Sequence, residues 1–174
     1  MNPRRRPLIT TAVVAAAIGL AGCTPAPVPE PTPTPLFASE AEAFKAAEQV
    51  YRDYVDAGNA RRTDPSAGPE SYLIGDALDD DIATQRMLKE RKVHVTGRNE
   101  LTDFRGTDFD RVAGSVDADV CLDVSGSRVV AEDGADVTPA DRNNLVSIHV
   151  RIILSGAVLK ISESNPGDVT CAAR

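Results

Sequence analysis

The chain has 174 residues, with 26 Asp and Glu against 19 Lys and Arg, a formal net charge of −7, three cysteines and no tryptophan. That acidic balance argues against nucleic acid as a partner and against adsorption to anionic lipid through the protein surface. It contains no G-x-S-x-G elbow, phosphate-binding P-loop or HExxH helix, so the best-marked hydrolase, nucleotide and zinc-protease chemistries have no foothold.

The first segment, MNPRRRP, sets Arg4, Arg5 and Arg6 ahead of the run LITTAVVAAAIGLAG, the charged-then-apolar order of an export signal. About 15 apolar or small residues fall short of the roughly 20 that a permanent membrane helix needs. The run ends in Leu20-Ala21-Gly22-Cys23, and the whole resembles a bacterial lipoprotein signal peptide with its lipobox. The resemblance implies cleavage between Gly22 and Cys23, lipidation of Cys23 (diacylglyceryl and palmitate-type acylation) and anchorage on the outer face of the cell membrane. An uncleaved anchor or an ordinary secretory peptide is the alternative. Two acyl chains are about what stable anchoring requires. Taking the leader's three arginines from 19 leaves 16 basic residues against 26 acidic ones, a net charge of about −10 for the remainder.

From Thr24 to Phe37 proline recurs at every second position between Pro25 and Pro35. Such a segment is a semi-rigid tether of about 3.1 Å per residue, holding a domain roughly 40 Å from the bilayer. With Cys23 assigned to lipid, Cys121 and Cys171 remain as a pair in an oxidising compartment, and a disulfide is their simplest use. Two free buried thiols are the alternative. A metal site is a poor third, because two cysteines 50 positions apart and only two histidines make an incomplete zinc ligand set.

The remaining stretch, residues 39–174, suits one domain. Ser39 and Glu42 form a capping signature, and a helix is predicted from there to Gly58, with Phe44, Ala47, Tyr51, Tyr54 and Val55 on one face. Residues 59–68 read as a loop and Pro69–Ile74 as a short helix. Asp76 is placed as the N-cap of a third helix reaching Lys92, with Leu78, Ile82, Ala83, Met87 and Leu88 as its apolar side. Asp79, Asp80 and Asp81 are ascribed to the positive end of that helix's dipole rather than to a metal. Val93 and Val95 open an alternating pattern, and the GTDFD stretch is read as a solvated turn, its Asp108 and Asp110 too few for calcium. Arg111–Ser125 alternates, with Val112, Gly114, Val116, Ala118, Val120, Leu122 and Val124 on one side and largely polar residues on the other. Arg128–Ala131 is a short strand. Leu145–Leu154 and Val158–Ser162 are joined by a tight turn at Gly156.

Helices first and long antiparallel strands after make an α+β domain, its helices packed on one face of a curved sheet. The tyrosine-bearing first helix, YLIG, KVHVTG, VDADVCLDVSGSRVV, AEDG and GDVTC together resemble the NTF2-like lipoproteins of actinobacteria. The last strand of such domains often bears a tryptophan, and Leu159 and Ile161 stand in that layer here.

That resemblance implies a cone whose interior is a pocket or an active site. The strand parity turns Val, Gly, Ala and Leu toward the helices, and puts Asp117, Asp119, Cys121, Asp123, His149 and Arg151 on the other face. His94 and His149 therefore read as ordinary strand residues. The expected function is a non-enzymatic, membrane-anchored domain without cofactor or metal, monomeric or weakly dimeric, that binds a small apolar ligand or an envelope protein. The alternative is a cone-type isomerase, dehydratase or hydrolase using a buried acid and a tyrosine, with Asp53, Asp103 and Tyr54 or Tyr72 as candidates.

Overall fold

A computed structural model describes residues 37–172; Gly22, Cys23 and most of the proline-rich segment lie outside the described residues. Helix α1 (Glu40–Arg61) starts where Ser39 accepts a hydrogen bond from the Glu42 amide at 3.2 Å. The Glu42 carboxylate reaches back one residue further than a capping box requires, accepting from the Ala38 amide at 2.9 Å. Ala43, Ala47 and Tyr51 form its fully buried line. Phe37, expected at the end of the tether, is buried edge-on against Phe109, with ring centroids 6.1 Å apart.

The helix does not stop at Gly58 as its sequence suggests. Gly58 meets no neighbour that would exclude a side chain. The next residue, Asn59, locks the extra turn by accepting from the Asn99 amide and donating to the Asn99 carbonyl, both at 2.9 Å. A 3-10 turn covers Pro69–Tyr72. Leu73 then makes a parallel bridge with Ile161, and the Ile74 amide bonds the Ile161 carbonyl.

Helix α2 (Asp76–Glu90) is capped by Gly75, which sits at a φ of 59° and makes no side-chain bond, so Asp76 is the first helical residue rather than the cap. The helix closes two residues before Lys92, which takes the left-handed conformation and turns the chain into β1. Its expected apolar side holds only in part: Leu78 packs on the core, but Ile82 is 47 % exposed and Met87 37 %, and the one fully buried residue of the helix is Ala77.

Strands β1 (Val93–Gly97) and β4 (Ser127–Ala131) pair antiparallel as a small separate sheet. The main sheet runs in the order β2-β3-β5-β6, all antiparallel, with β2 (Glu100–Asp110), β3 (Ser115–Asp123), β5 (Leu145–Ser155) and β6 (Val158–Pro166). Strand β2 replaces the turn expected at GTDFD. Two register shifts, between Leu101 and Asp103 and between Gly106 and Asp108, break its alternation. Gly106 is obligatory in kind, since a Cβ there would run into the Phe44 ring of α1. The turn proper lies at Asp110–Gly114, where the Asp110 carboxylate accepts from the Val112 and Ala113 amides at 2.8 and 2.9 Å. Val112, assigned to the inner face by its parity, is consequently fully exposed.

The rest of that parity holds. Val116, Ala118 and Val120 on β3, Val150 and Ile152 on β5 and Ile161 on β6 are wholly buried under α1, with Leu159 packed beside them. The fold is thus α+β, with its helices on the concave face of a curved antiparallel sheet, consistent with an NTF2-like cone. On the opposite face Cys121 and Cys171 form a disulfide. It returns the chain after β6 across β5, where the Gly167 amide bonds the Ser147 carbonyl at 2.9 Å. Closing 50 residues should stabilise the fold by about 4 kcal/mol in the chain-entropy picture, less any strain. The double variant Cys121→Ala, Cys171→Ala is expected to lose about 2–4 kcal/mol in urea unfolding; an unchanged midpoint would contradict this.

Candidate functional site

Beyond the packed part of the core, the helices and the sheet stand apart and leave a cavity of about 470 Å³. Its floor is apolar: Tyr51 and Val55 from α1, Leu122 from β3 and Ile148 from β5. Its other walls are mixed, with Leu88, Val93 and Val95 among polar side chains. The C-terminal end of α1 contributes Asn59, Arg61 and Arg62, and β1 brings His94 to the rim. Helix α2 contributes Asp81, Thr84, Gln85, Leu88 and Lys89. Spaced at i, i+3, i+4, i+7 and i+8, those five residues form one helical stripe. The stripe explains why Ile82 and Met87 face outward: α2 turns polar side chains to a cavity instead of apolar ones to a core.

One interaction fixes this arrangement. Arg61 donates from Nη1 and Nη2 to the two carboxylate oxygens of Asp81 at 2.8 and 2.7 Å, a planar two-point match. Their side chains are 24 % and 11 % exposed, and the bond to Asp81 holds the Arg61 guanidinium above its ordinary pKa. Asp81 is therefore an ion-pair partner of α1, not a dipole-capping acid as the run Asp79–Asp81 suggested. Tyr54 lies beside the pair. Burial raises its phenol pKa, the Asp81 charge adds to the rise, and Arg61 opposes it.

Arg62 is in a different position. Burial lowers its pKa, and the charges of Arg98 and Arg61 lower it further. Its Nη1 atom is shielded from solvent and has no hydrogen-bond partner, as is true of Asn99 Oδ1 on the same lining.

Of the four acid-base candidates named from the sequence, Asp53, Asp103, Tyr54 and Tyr72, the cavity collects only Tyr54. Asp53 accepts a hydrogen bond from Gln49 at 2.8 Å on the outer side of α1, Asp103 is exposed on β2 and Tyr72 closes the 3-10 turn; none of the three lines the cavity. Arg61, Arg62, Asn59, Asn99 and Asp81 were not marked as site residues. The polar stripe of α2 was the one signal that could have found part of the set.

The outer sheet face carries the charged residues that parity assigned to it. Arg151 clasps Asp117 at 2.8 and 3.1 Å. Asp119 accepts from His149 Nδ1 at 2.9 Å and from Arg105 at 3.0 Å. Asp108 is exposed on β2, and Asp110 is occupied by its turn. Among the described residues no group of three or more His, Cys, Asp or Glu side chains is placed to hold a metal ion.

No protein-family model and no curated protein sequence matches the chain. Among solved structures, the intermembrane-space region of the chloroplast protein ARC6 aligns with a TM-score of 0.51 at 11 % identity, over 71 % of this chain and 95 % of that one. The likeness is one of fold. A de novo designed β-sheet protein aligns at 18 % identity over 77 % of this chain and 98 % of that one, with a TM-score of 0.35. A Xanthomonas campestris protein described as a polyketide cyclase aligns at 15 % identity over 71 % and 90 %, with a TM-score of 0.37.

The hydrogen bonds from His149 and Arg105 hold the Asp119 carboxyl below the usual carboxylate range. A depressed folded-state pKa stabilises the fold above the unfolded value of about 3.9, and the contribution fades as pH falls through the lower folded value. Asp119→Asn is expected to lower stability at neutral pH and to flatten the acid limb below about pH 4. Urea midpoints between pH 2 and 7 read both effects, and an acid limb identical to that of the parent chain would contradict the assignment.

Proposed function

We propose that this is a non-enzymatic ligand-binding domain carried outside the cell membrane on a lipidated Cys23. The observation that carries the binding part is the cavity of about 470 Å³ between helices and sheet, a volume within the range of roughly 300–1,000 Å³ typical of small-molecule sites. Binding is favoured over the carboxylate-and-tyrosine catalysis of the alternative by the state of its carboxylate: Asp81, the one acid among the lining residues, is held at both oxygens by Arg61. A general acid or base needs a proton position open to substrate. The mixed lining also favours an amphipathic ligand over a purely apolar one.

The address rests on the arginine cluster, the apolar run and Leu20-Ala21-Gly22-Cys23, with cleavage after Gly22 and the proline-rich segment as spacer. No helix among the described residues is long and apolar enough to cross a membrane. The charged outer sheet face fits a monomer or weak dimer, and an envelope protein remains the alternative occupant of the exposed surfaces.

Two readouts on protein made in a bacterial host that processes lipoproteins test the proposal. An alkyne-bearing palmitate analogue is expected to label the chain, and Cys23→Ser to abolish the label and release the protein from the membrane fraction. Native mass spectrometry of the extracted protein should show a bound small molecule. Persistent labelling of Cys23→Ser would overturn the anchor, and a chain that always flies at its bare lipidated mass would overturn the ligand cavity.

A further inference from the structure

The cavity carries a charge opposite to that of the chain. Arg61, Arg62 and Lys89 line it against the single acid Asp81, in a protein whose formal net charge is −7. Asp81 neutralises Arg61 through its two hydrogen bonds. Among the described residues neither Arg62 nor Lys89 has a carboxylate partner. Arg62 in addition leaves Nη1 shielded and unbonded. A half-buried guanidinium with no counter-charge, crowded by a neighbouring arginine, is costly unless something else supplies the anion. Below it the floor is apolar, with Val55, Leu88, Leu122 and Ile148.

We propose that the cavity binds an amphipathic organic carboxylate, its headgroup on the Arg62 guanidinium and its apolar body on the Leu88, Leu122 and Ile148 floor. The proposal rests on reading the cavity as a ligand site and names the class of ligand. A carboxylate suits the place for two reasons. The guanidinium fork matches a planar two-oxygen anion, and one unpaired half-buried guanidinium balances the single charge of a carboxylate but not the double charge of a phosphate. Lys89, at the rim, adds attraction for an approaching anion without having to touch it.

The test is isothermal titration of octanoate and of octan-1-ol into the full chain bearing Cys23→Ser, so that no protein-borne acyl chain competes. Octanoate is expected to bind at one saturable site, more tightly than octan-1-ol, and to weaken as NaCl rises from 50 to 500 mM. Arg62→Gln should weaken octanoate at least tenfold and leave octan-1-ol unchanged. Should that variant fail to fold, Arg62→Lys keeps the charge and loses the fork, and a severalfold weakening is expected. Octan-1-ol binding as tightly as octanoate, or octanoate indifferent to both Arg62 variants, would overturn the carboxylate assignment while leaving the ligand cavity in place. No saturable heat from octanoate up to 10 mM would overturn it as well. The ligand cavity itself is judged separately, and falls if no small molecule accompanies the protein extracted from membranes.

Discussion

The Arg61–Asp81 pair is the constraint on which the rest of the site depends. Helix α2 buries only Ala77 completely and adds Leu78 at the edge of the core, much less apolar packing than fixes α1. It is held in addition at its ends, by the Leu73 bridge to β6 before it and by β1 after it, and in its first half by two charge-assisted bonds to the last turn of α1. Partly buried pairs of this kind are expensive to break from one side, because the remaining charge stays desolvated.

The same circumstance explains what was legible in the sequence. Strands β3 and β5 were legible because alternation runs unbroken through Val116–Leu122 and Val146–Ile152, and Val116, Ala118, Val120, Val150 and Ile152 are buried as their parity assigned. Strand β2 was not. Its apolar residues Leu101, Phe104 and Phe109 fall three and five positions apart, and each interval contains a one-residue register shift, so a strand with one buried face reads as an irregular polar stretch. Gly106 looked like turn punctuation and is instead the place where the Phe44 ring meets the strand. Helix α2 misled for the reason given above: apolar periodicity predicts a core face only when a core lies opposite.

The site was less legible than the fold. Acid-base candidates were sought in the strands and in α1, whereas the cavity takes its polar groups from the polar stripe of α2 and from the end of α1, Asn59, Arg61 and Arg62, beyond the expected stop at Gly58. Asn59 extends that helix by bonding a backbone 40 residues away, a long-range contact that local pattern does not reveal. The cysteine pair was the reverse case. Counting thiols, once Cys23 was set aside for lipid, pointed to the Cys121–Cys171 bond without any knowledge of the fold.

Native-state hydrogen exchange resolved by residue separates a sheet held by its core from a helix held by an ion pair. Amides of α2 should exchange at a lower opening free energy than those of β3 and β5, and Asp81→Asn should speed exchange in α2 at least tenfold while leaving the sheet unchanged. Exchange of α2 only through the same global opening as β3, or an α2 indifferent to Asp81→Asn, would contradict that difference.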